Sequence, residues 1–212
     1  YYPKAGWVEH DAEEIYNNVL MAVEELMRDG DKEASYSLAI TNQRETVVVW
    51  DKTTGKPVYH AVVWQCMRGA DICNGLKAQG YGPMVMEKSG LLIDPYFAAS
   101  GAKWILDNVD GAREKAERGD LLMGTIESWL IWKLTDGKRH VSDYTNASRT
   151  MLMNIHTLQW DDDLLRLFTI PRSMMPELLP CDSVFGETTV GGVFSQPIAI
   201  AGVLGDSHGA LT

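Results

Sequence analysis

The sequence predicts an α/β domain in which a mixed β-sheet is flanked by helices. Short β-branched runs, such as residues 46–50, alternate along the chain with stretches whose apolar residues recur at helical spacing. The most apolar run, residues 198–204, has the length of a buried strand, far short of the ~20 residues that a membrane span needs. Neither an internal repeat nor a low-complexity linker interrupts this alternation, and the length allows one large domain or two small ones.

The first predicted helix begins after Asp11, a good N-cap residue, with Glu14 placed to complete a capping box. It is expected to end near Gly30. Its apolar face is predicted to consist of Ile15, Val19, Val23 and Leu26.

Strands are predicted next over residues 36–41, 46–50 and 57–63, with a hairpin turn at 51–56 between the last two. Further helices are predicted over residues 68–77, 98–109, 126–134 and 161–168, and a buried strand over 197–203. Pro95 keeps Asp94 out of helical geometry, so a turn is expected before the helix at 98–109.

Composition and charge exclude several classes of protein. The formal net charge is −10 and no cluster of Lys or Arg interrupts it, which argues against binding nucleic acid or an anionic membrane. The three cysteines form no Cys-x-x-Cys pair, so reduced thiols and a cytoplasmic location are expected. The common catalytic motifs are absent: the P-loop, the dinucleotide-binding glycine motif, the zinc motif His-Glu-x-x-His and the nucleophile elbow Gly-x-Ser-x-Gly.

Asp206 is the first candidate for chemistry, because it follows Gly205 at the end of the buried strand. A carboxylate at the mouth of a sheet can accept a proton from an alcohol. An aspartate that caps the following helix is an equally good interpretation of this pattern alone.

Four further residues follow strands or turns and could meet Asp206 at one edge of the sheet: Arg44, Glu45, Trp64 and Tyr96. A guanidinium, two carboxylates, an indole and a phenol are the groups needed to hold a small polyol. Residues 42–45 are also typical of a surface turn, and a Trp at a strand end is typical of a core. The spacing alone leaves both interpretations open.

Five runs of the chain resemble the glycerol-phosphorylating members of the FGGY carbohydrate kinase family, over a stretch from about Gly6 to Leu211. The family has a ribonuclease-H-like, actin-like ATPase fold. The runs are GWVEHD at 6–11, ITNQRET at 40–46, VWQC at 63–66, GLLIDPYF at 90–97 and SDYTNASRT at 142–150.

The resemblance implies ATP-dependent transfer of a phosphoryl group to glycerol, giving glycerol 3-phosphate, with Asp206 as the general base. The implied polyol-binding positions are Arg44, Glu45, Trp64, Tyr96 and Asp206. Mg²⁺ is implied as the companion of ATP, with Asp206 as a candidate contact to it through water. A small polyol is the expected partner, and a homo-oligomer is expected for the full-length protein.

The chain departs from the family at two places. Ser207-His208 stands where the family commonly has Gln-Gln, so Ser207 joins the substrate-binding candidates and another polyol or a ketose such as xylulose stays open as the substrate. Residues 191–197 keep a glycine pair but lack the Lys and Arg that bind an inhibitory fructose bisphosphate in some members. Since a bisphosphate needs cationic partners, weak or absent control of this kind is predicted.

The domain organisation implied by the resemblance makes residues 1–212 most of the N-terminal domain. The family's Asp-x-Gly-Thr phosphate hairpin would precede Tyr1, and its nucleotide-binding domain would follow Thr212. We therefore expect a fragment that by itself binds ATP poorly and has negligible turnover. A non-catalytic, actin-like binding domain is the alternative from another class.

Overall fold

A computed structural model describes residues 1–31 and 34–211. Strands β1 to β11 span Glu9–His10, Ser37–Asn42, Val47–Asp51, Ala61–Val62, Leu121–Thr125, Val141–Asp143, Met153–Asn154, Gln159–Trp160, Glu177–Leu179, Gly186–Thr188 and Ile198–Gly205. Helices α1 to α9 span Ala12–Met27, Ala70–Ala78, Gly82–Ser89, Ala98–Asn108, Ala112–Glu117, Ile126–Leu134, Tyr144–Ala147, Asp162–Leu167 and Asp206–Gly209. Short 3₁₀ turns lie at Met67–Gly69 and Arg172–Met174.

Two sheets organise the chain, and the prediction of an α/β fold with a mixed sheet is confirmed. In the first sheet the order is β1-β4-β3-β5 and every pairing is antiparallel. In the second the order is β10-β11-β2, with β11 antiparallel to β10 and parallel to β2. The parallel pair matters most for function, because parallel neighbours end at the same edge of a sheet.

Helix α1 begins as predicted: the Asp11 carboxylate accepts hydrogen bonds from the N–H groups of Glu13 and Glu14. The Glu14 carboxylate accepts from the Tyr1 hydroxyl, so the expected return bond of a capping box is replaced. The assignment of Leu26 to the buried face was wrong, since 74% of it is exposed. Leu20 packs against the core in its place.

Helix α6 joins the two sheets, because it contacts β2, β3, β10 and α1. Trp50 on β3 and Trp129 on α6 are fully buried, with ring centroids 5.4 Å apart in an edge-to-face arrangement. The indole N–H of Trp129 donates to the Ala12 carbonyl at 2.9 Å, which fixes α6 against the start of α1.

Arg68 holds the first residues of the chain by packing and charge. Its guanidinium lies 4.1 Å from the ring of Trp7 and 4.7 Å from the ring of Trp104, and donates to the Glu9 carboxylate at 2.6 Å. Cation–π contacts together with a buried ion pair tie the first residues of the chain to the turn after β4.

The structure differs from the predicted elements at several places. The strand expected at 57–63 is paired only over Ala61–Val62, with an isolated bridge from Pro57 to Trp50. Strand β5 was not predicted, because Gly124 weakens its β signal. A glycine is needed there, since an added Cβ would lie 2.4 Å from the Cβ of Ser128. Helix α3 was also missed.

None of the helices in residues 1–31 and 34–211 has both the length and the apolar character that a membrane span needs.

Candidate functional site

The parallel pairing of β2 and β11 builds the site. In its register Gly205 lies opposite Asn42, so both strands end at the same edge. Arg44 follows the end of β2 by two residues, and Asp206 follows β11 directly. This edge is where ligands bind in open α/β sheets.

Arg44 and Asp206 meet there, as predicted. The Nε of Arg44 lies 3.9 Å from Oδ1 of Asp206, and 16% and 59% of the two side chains are exposed. A second nitrogen, Nη2, donates to the hydroxyl of Ser207 at 2.8 Å, and Nη1 is 3.4 Å from Nδ1 of His208. The Nε of Arg44 is buried and has no hydrogen-bond partner among the described residues, since Oδ1 of Asp206 at 3.9 Å is beyond hydrogen-bond range.

Glu45, Trp64 and Tyr96 form the second part of the site. The rings of Trp64 and Tyr96 lie 5.3 Å apart at a tilted angle, and both are partly exposed. The Glu45 carboxylate is buried and accepts a hydrogen bond from Nε of Arg149 at 2.7 Å. Arg149 also lies 5.8 Å from the ring centroid of Tyr96. Since Glu45 adjoins Arg44 in the turn after β2, the two parts of the site share one backbone segment.

A buried polar network connects the ends of β2 and β11 on the protein side of this edge. Asn42, the last residue of β2, donates through its amide to Glu127 at 3.0 Å and to Asn146 at 3.0 Å. Asn146 in turn donates to Asp143 at 2.6 Å. Thr145 donates its hydroxyl to Asp143 at 2.5 Å and accepts the Gly205 N–H at 2.9 Å. The network therefore reaches from the end of β2 to the residue before Asp206.

Glu127 is the fully buried acid of this network. Burial, together with the negative charge of Asp143, raises the pKa of Glu127 to about 7. Three hydroxyl groups donate to its Oε1 atom, from Thr125, Ser128 and Ser142.

Sequence reasoning missed Arg149, Asn42, Glu127 and Thr145 as supporting residues. Asn42, Thr145 and Arg149 lie inside the runs that carry the family resemblance, and their place in those runs was the signal that could have found them. Glu127 gave no signal of its own, because an acid in the first turn of a helix is ordinary.

Several cavities lie away from these side chains. One of 760 Å³ is lined by residues of the α1 start and the β3–β4 connection, including Glu9, His60 and Lys133. None of the predicted substrate residues lines this cavity. The polar groups of Arg44 and Asp206 meet instead at the ends of β2 and β11, which favours that edge as the site. Another, of 500 Å³, lies between α1 and residues 190–193 and holds Arg28 beside Glu24. The weak bisphosphate control predicted for residues 191–197 stays a prediction.

Comparison with known proteins agrees with the fold. The model of the N-terminal domain of the FGGY family of carbohydrate kinases matches residues 1–212. The chain belongs to this family, whose members have an actin-like ATPase fold.

Glycerol kinases are among its relatives. The chain is 57% identical to the glycerol kinase of Bacillus thuringiensis (strain Al Hakam), over 100% of this chain and 43% of that protein. The structure of Plasmodium falciparum glycerol kinase with ADP matches with a TM-score of 0.89 at 35% identity, over 99% of this chain and 42% of that one. A xylulose kinase from Lactobacillus acidophilus matches in fold, with a TM-score of 0.81 at 19% identity, over 96% of this chain and 41% of the other. The chain thus spans less than half the length of these relatives.

Proposed function

We propose that this chain is the polyol-binding domain of an ATP-dependent kinase that phosphorylates glycerol to glycerol 3-phosphate. The observation that carries the proposal is the meeting of Arg44 and Asp206 at the shared end of β2 and β11, where Glu45 follows Arg44 and is linked through Arg149 to the ring pair of Tyr96 and Trp64. Identity of 57% to glycerol kinases supports glycerol as the substrate.

Each side chain has a role that follows from its chemistry. Arg44 donates hydrogen bonds to glycerol hydroxyls and Glu45 accepts from them. The faces of Trp64 and Tyr96 pack against the carbon chain. Asp206, with 59% of its side chain exposed, accepts the proton of the primary hydroxyl as that oxygen attacks the phosphoryl group.

ATP supplies the phosphoryl group, and Mg²⁺ offsets its charge. No group of three or more acidic, His or Cys side chains that could hold a metal ion occurs in the described ranges 1–31 and 34–211. A lone, exposed carboxylate such as Asp206 fits a contact to Mg²⁺ through water, because Mg²⁺ keeps several waters and binds substrate phosphates. We propose that most of the nucleotide site lies outside this chain, and that the full-length protein is a cytoplasmic homo-oligomer.

The test is glycerol-dependent formation of ADP by the full-length protein. We expect Asp206→Asn to lower kcat by about 10²- to 10⁴-fold, because the general base is lost while the shape of the site is kept. Calorimetric titration of glycerol should still show binding to this variant. Full activity in Asp206→Asn would exclude Asp206 as the base, and a wild-type protein that binds no glycerol would favour a non-catalytic binding domain.

Ser207 motivates a second candidate, a kinase for another polyol or a ketose. Its hydroxyl accepts a 2.8 Å hydrogen bond from Arg44, and Ser is shorter than the Gln common at this position in the family, which leaves space beside Arg44. A panel of glycerol, longer polyols and xylulose, ranked by kcat/KM, decides between the two. A clear preference for a pentulose would replace glycerol as the substrate.

A further inference from the structure

The Glu45 carboxylate is paired with Arg149, a residue that was not among the predicted substrate-binding residues. Nε of Arg149 donates to Oε1 of Glu45 at 2.7 Å, although the residues are 104 positions apart. Only 5% of the Glu45 side chain and 29% of the Arg149 side chain are exposed, so water screens the pair weakly. In residues 1–31 and 34–211, Oε2 of Glu45 has no hydrogen-bond donor, which leaves it able to accept from a substrate hydroxyl.

The same guanidinium contacts the aromatic wall of the site. Its carbon lies 4.9 Å from the ring centroid of Phe97 and 5.8 Å from that of Tyr96. Both distances fall within the ~6 Å range of a cation–π contact. Tyr96 in turn packs against Trp64, so Arg149 joins the carboxylate that accepts hydroxyls to the rings that cover the carbon chain.

The backbone that carries Arg149 is rigidly attached. Asp143 caps the short helix α7, and the Arg149 N–H donates to the Asn146 carbonyl at 3.0 Å. The carbonyl of the next residue, Thr150, accepts the Ala99 N–H at 3.0 Å, at the start of α4 and just after the aromatic pair. A guanidinium carried by this backbone can fix the orientation of a buried carboxylate, since its planar donors are pre-organised.

We infer that Arg149 is a positioning residue for substrate recognition: it orients Glu45 and holds the ring of Tyr96, so that one carboxylate oxygen and one aromatic face are presented to the polyol. This inference rests on the proposed function. It requires Arg149 to act through Glu45 and Tyr96, without touching the reacting atoms.

The experiment compares Arg149→Met and Arg149→Lys in the full-length protein by steady-state kinetics in glycerol and in ATP. We expect Arg149→Met to raise KM for glycerol about tenfold or more, with KM for ATP unchanged, because only the polyol half of the site is disturbed. Arg149→Lys keeps the charge but loses the planar fork, so its KM for glycerol should be intermediate. As a matched control, Arg166→Met removes an arginine that pairs with Asp163 on an exposed surface, and its kinetics should match the wild type.

Two further readouts separate positioning from a purely structural role. Methylguanidine added to an Arg149→Ala variant, whose truncated side chain leaves room for it, should lower KM for glycerol towards the wild-type value. Glu45→Gln combined with Arg149→Met should be little worse than Glu45→Gln alone, because the two residues act as one unit.

Each contrary result identifies which statement fails. Additive effects in the double variant, no rescue, or an unchanged KM in a wild type that does phosphorylate glycerol would overturn the role of Arg149. If Arg149→Met does not fold, an Arg149→Lys variant with wild-type KM for glycerol overturns it equally. A wild-type protein that does not phosphorylate glycerol would overturn the proposed function instead, and the same variants would then be measured on the best substrate of the panel.

Discussion

The hydroxyl of Thr145 accepts a 2.9 Å hydrogen bond from the backbone N–H of Gly205, the residue directly before Asp206. The same hydroxyl donates to the Asp143 carboxylate at 2.5 Å. One side chain therefore links a buried acid to the backbone that aims the proposed base. This relationship makes the position of Asp206 depend on a residue 61 places earlier in the chain.

Thr145→Val should lower kcat by about tenfold, because the isosteric side chain removes the hydroxyl and lets the Asp206 backbone shift. We expect KM for glycerol to change less, since Arg44, Glu45, Trp64 and Tyr96 keep their places. Thr145→Ser retains the hydroxyl and serves as the control with near wild-type kcat. Equal kcat values for the Val and Ser variants would show that this hydrogen bond does not position the base.

Gly205→Ala should raise KM for glycerol about tenfold by displacing Arg44. Gly205 has φ −62° and ψ 148°, a conformation open to alanine, so the substitution strains no backbone. The added Cβ would instead lie 2.0 Å from Cδ and 2.7 Å from Cγ of Arg44, in the middle of that side chain.

The matched control is Gly202→Ala on the same strand, where the nearest atom to a Cβ is 3.7 Å away. We expect this variant to keep the wild-type KM for glycerol. A folded Gly205→Ala protein with unchanged KM would show that the position of Arg44 has no role in binding the substrate.

The parts of the site that the sequence could predict follow from local patterns. Asp206 and Arg44 each follow a strand with a clear apolar signal, and strands of an α/β fold place their ends together. Helical spacing of apolar residues likewise predicted α1, the Pro95 turn predicted the start of α4, and a strongly apolar stretch predicted α6. Of the six predicted substrate residues, Arg44, Glu45, Asp206 and Ser207 lie at the shared end of β2 and β11, and Arg149 links Glu45 to the ring pair of Tyr96 and Trp64.

The rest depended on contacts between distant parts of the chain. Glu127 receives a hydrogen bond from Asn42, 85 positions away, and nothing local distinguishes it from the exposed acids that begin many helices. Arg149 lies in a polar stretch without periodicity, so its partner Glu45 could not be inferred from spacing. The weak signal at Gly124 hid β5, because the missing side chain that makes room for Ser128 also lowers β-propensity.

The buried acid Glu127 gives a prediction about pH. Its pKa is raised from an ordinary 4.5 to about 7, by burial first and the charge of Asp143 second. Between these values the folded protein keeps a proton that the unfolded chain has released. The stabilisation from this group is therefore complete below pH ~4.5 and is lost as the pH rises towards 7, by a total on the order of 3 kcal/mol.

Glu127→Gln removes this titration, and the test is hydrogen exchange of the amides of α6 in the full-length protein. The free energy of opening of the wild type minus that of Glu127→Gln should fall between pH 5 and pH 7, by roughly 2 to 3 kcal/mol.

Comparing the two proteins at the same pH cancels both the intrinsic exchange rate and the opposite contribution of His140, whose pKa burial lowers to about 4. Any constant cost of fitting the glutamine amide against Asn42 shifts the difference but not its slope. Glu117→Gln, at an exposed position, supplies a control with no such slope. A difference that is constant or rises with pH would mean that Glu127 is ionised in the folded protein throughout this range, with its hydroxyl donors outweighing burial.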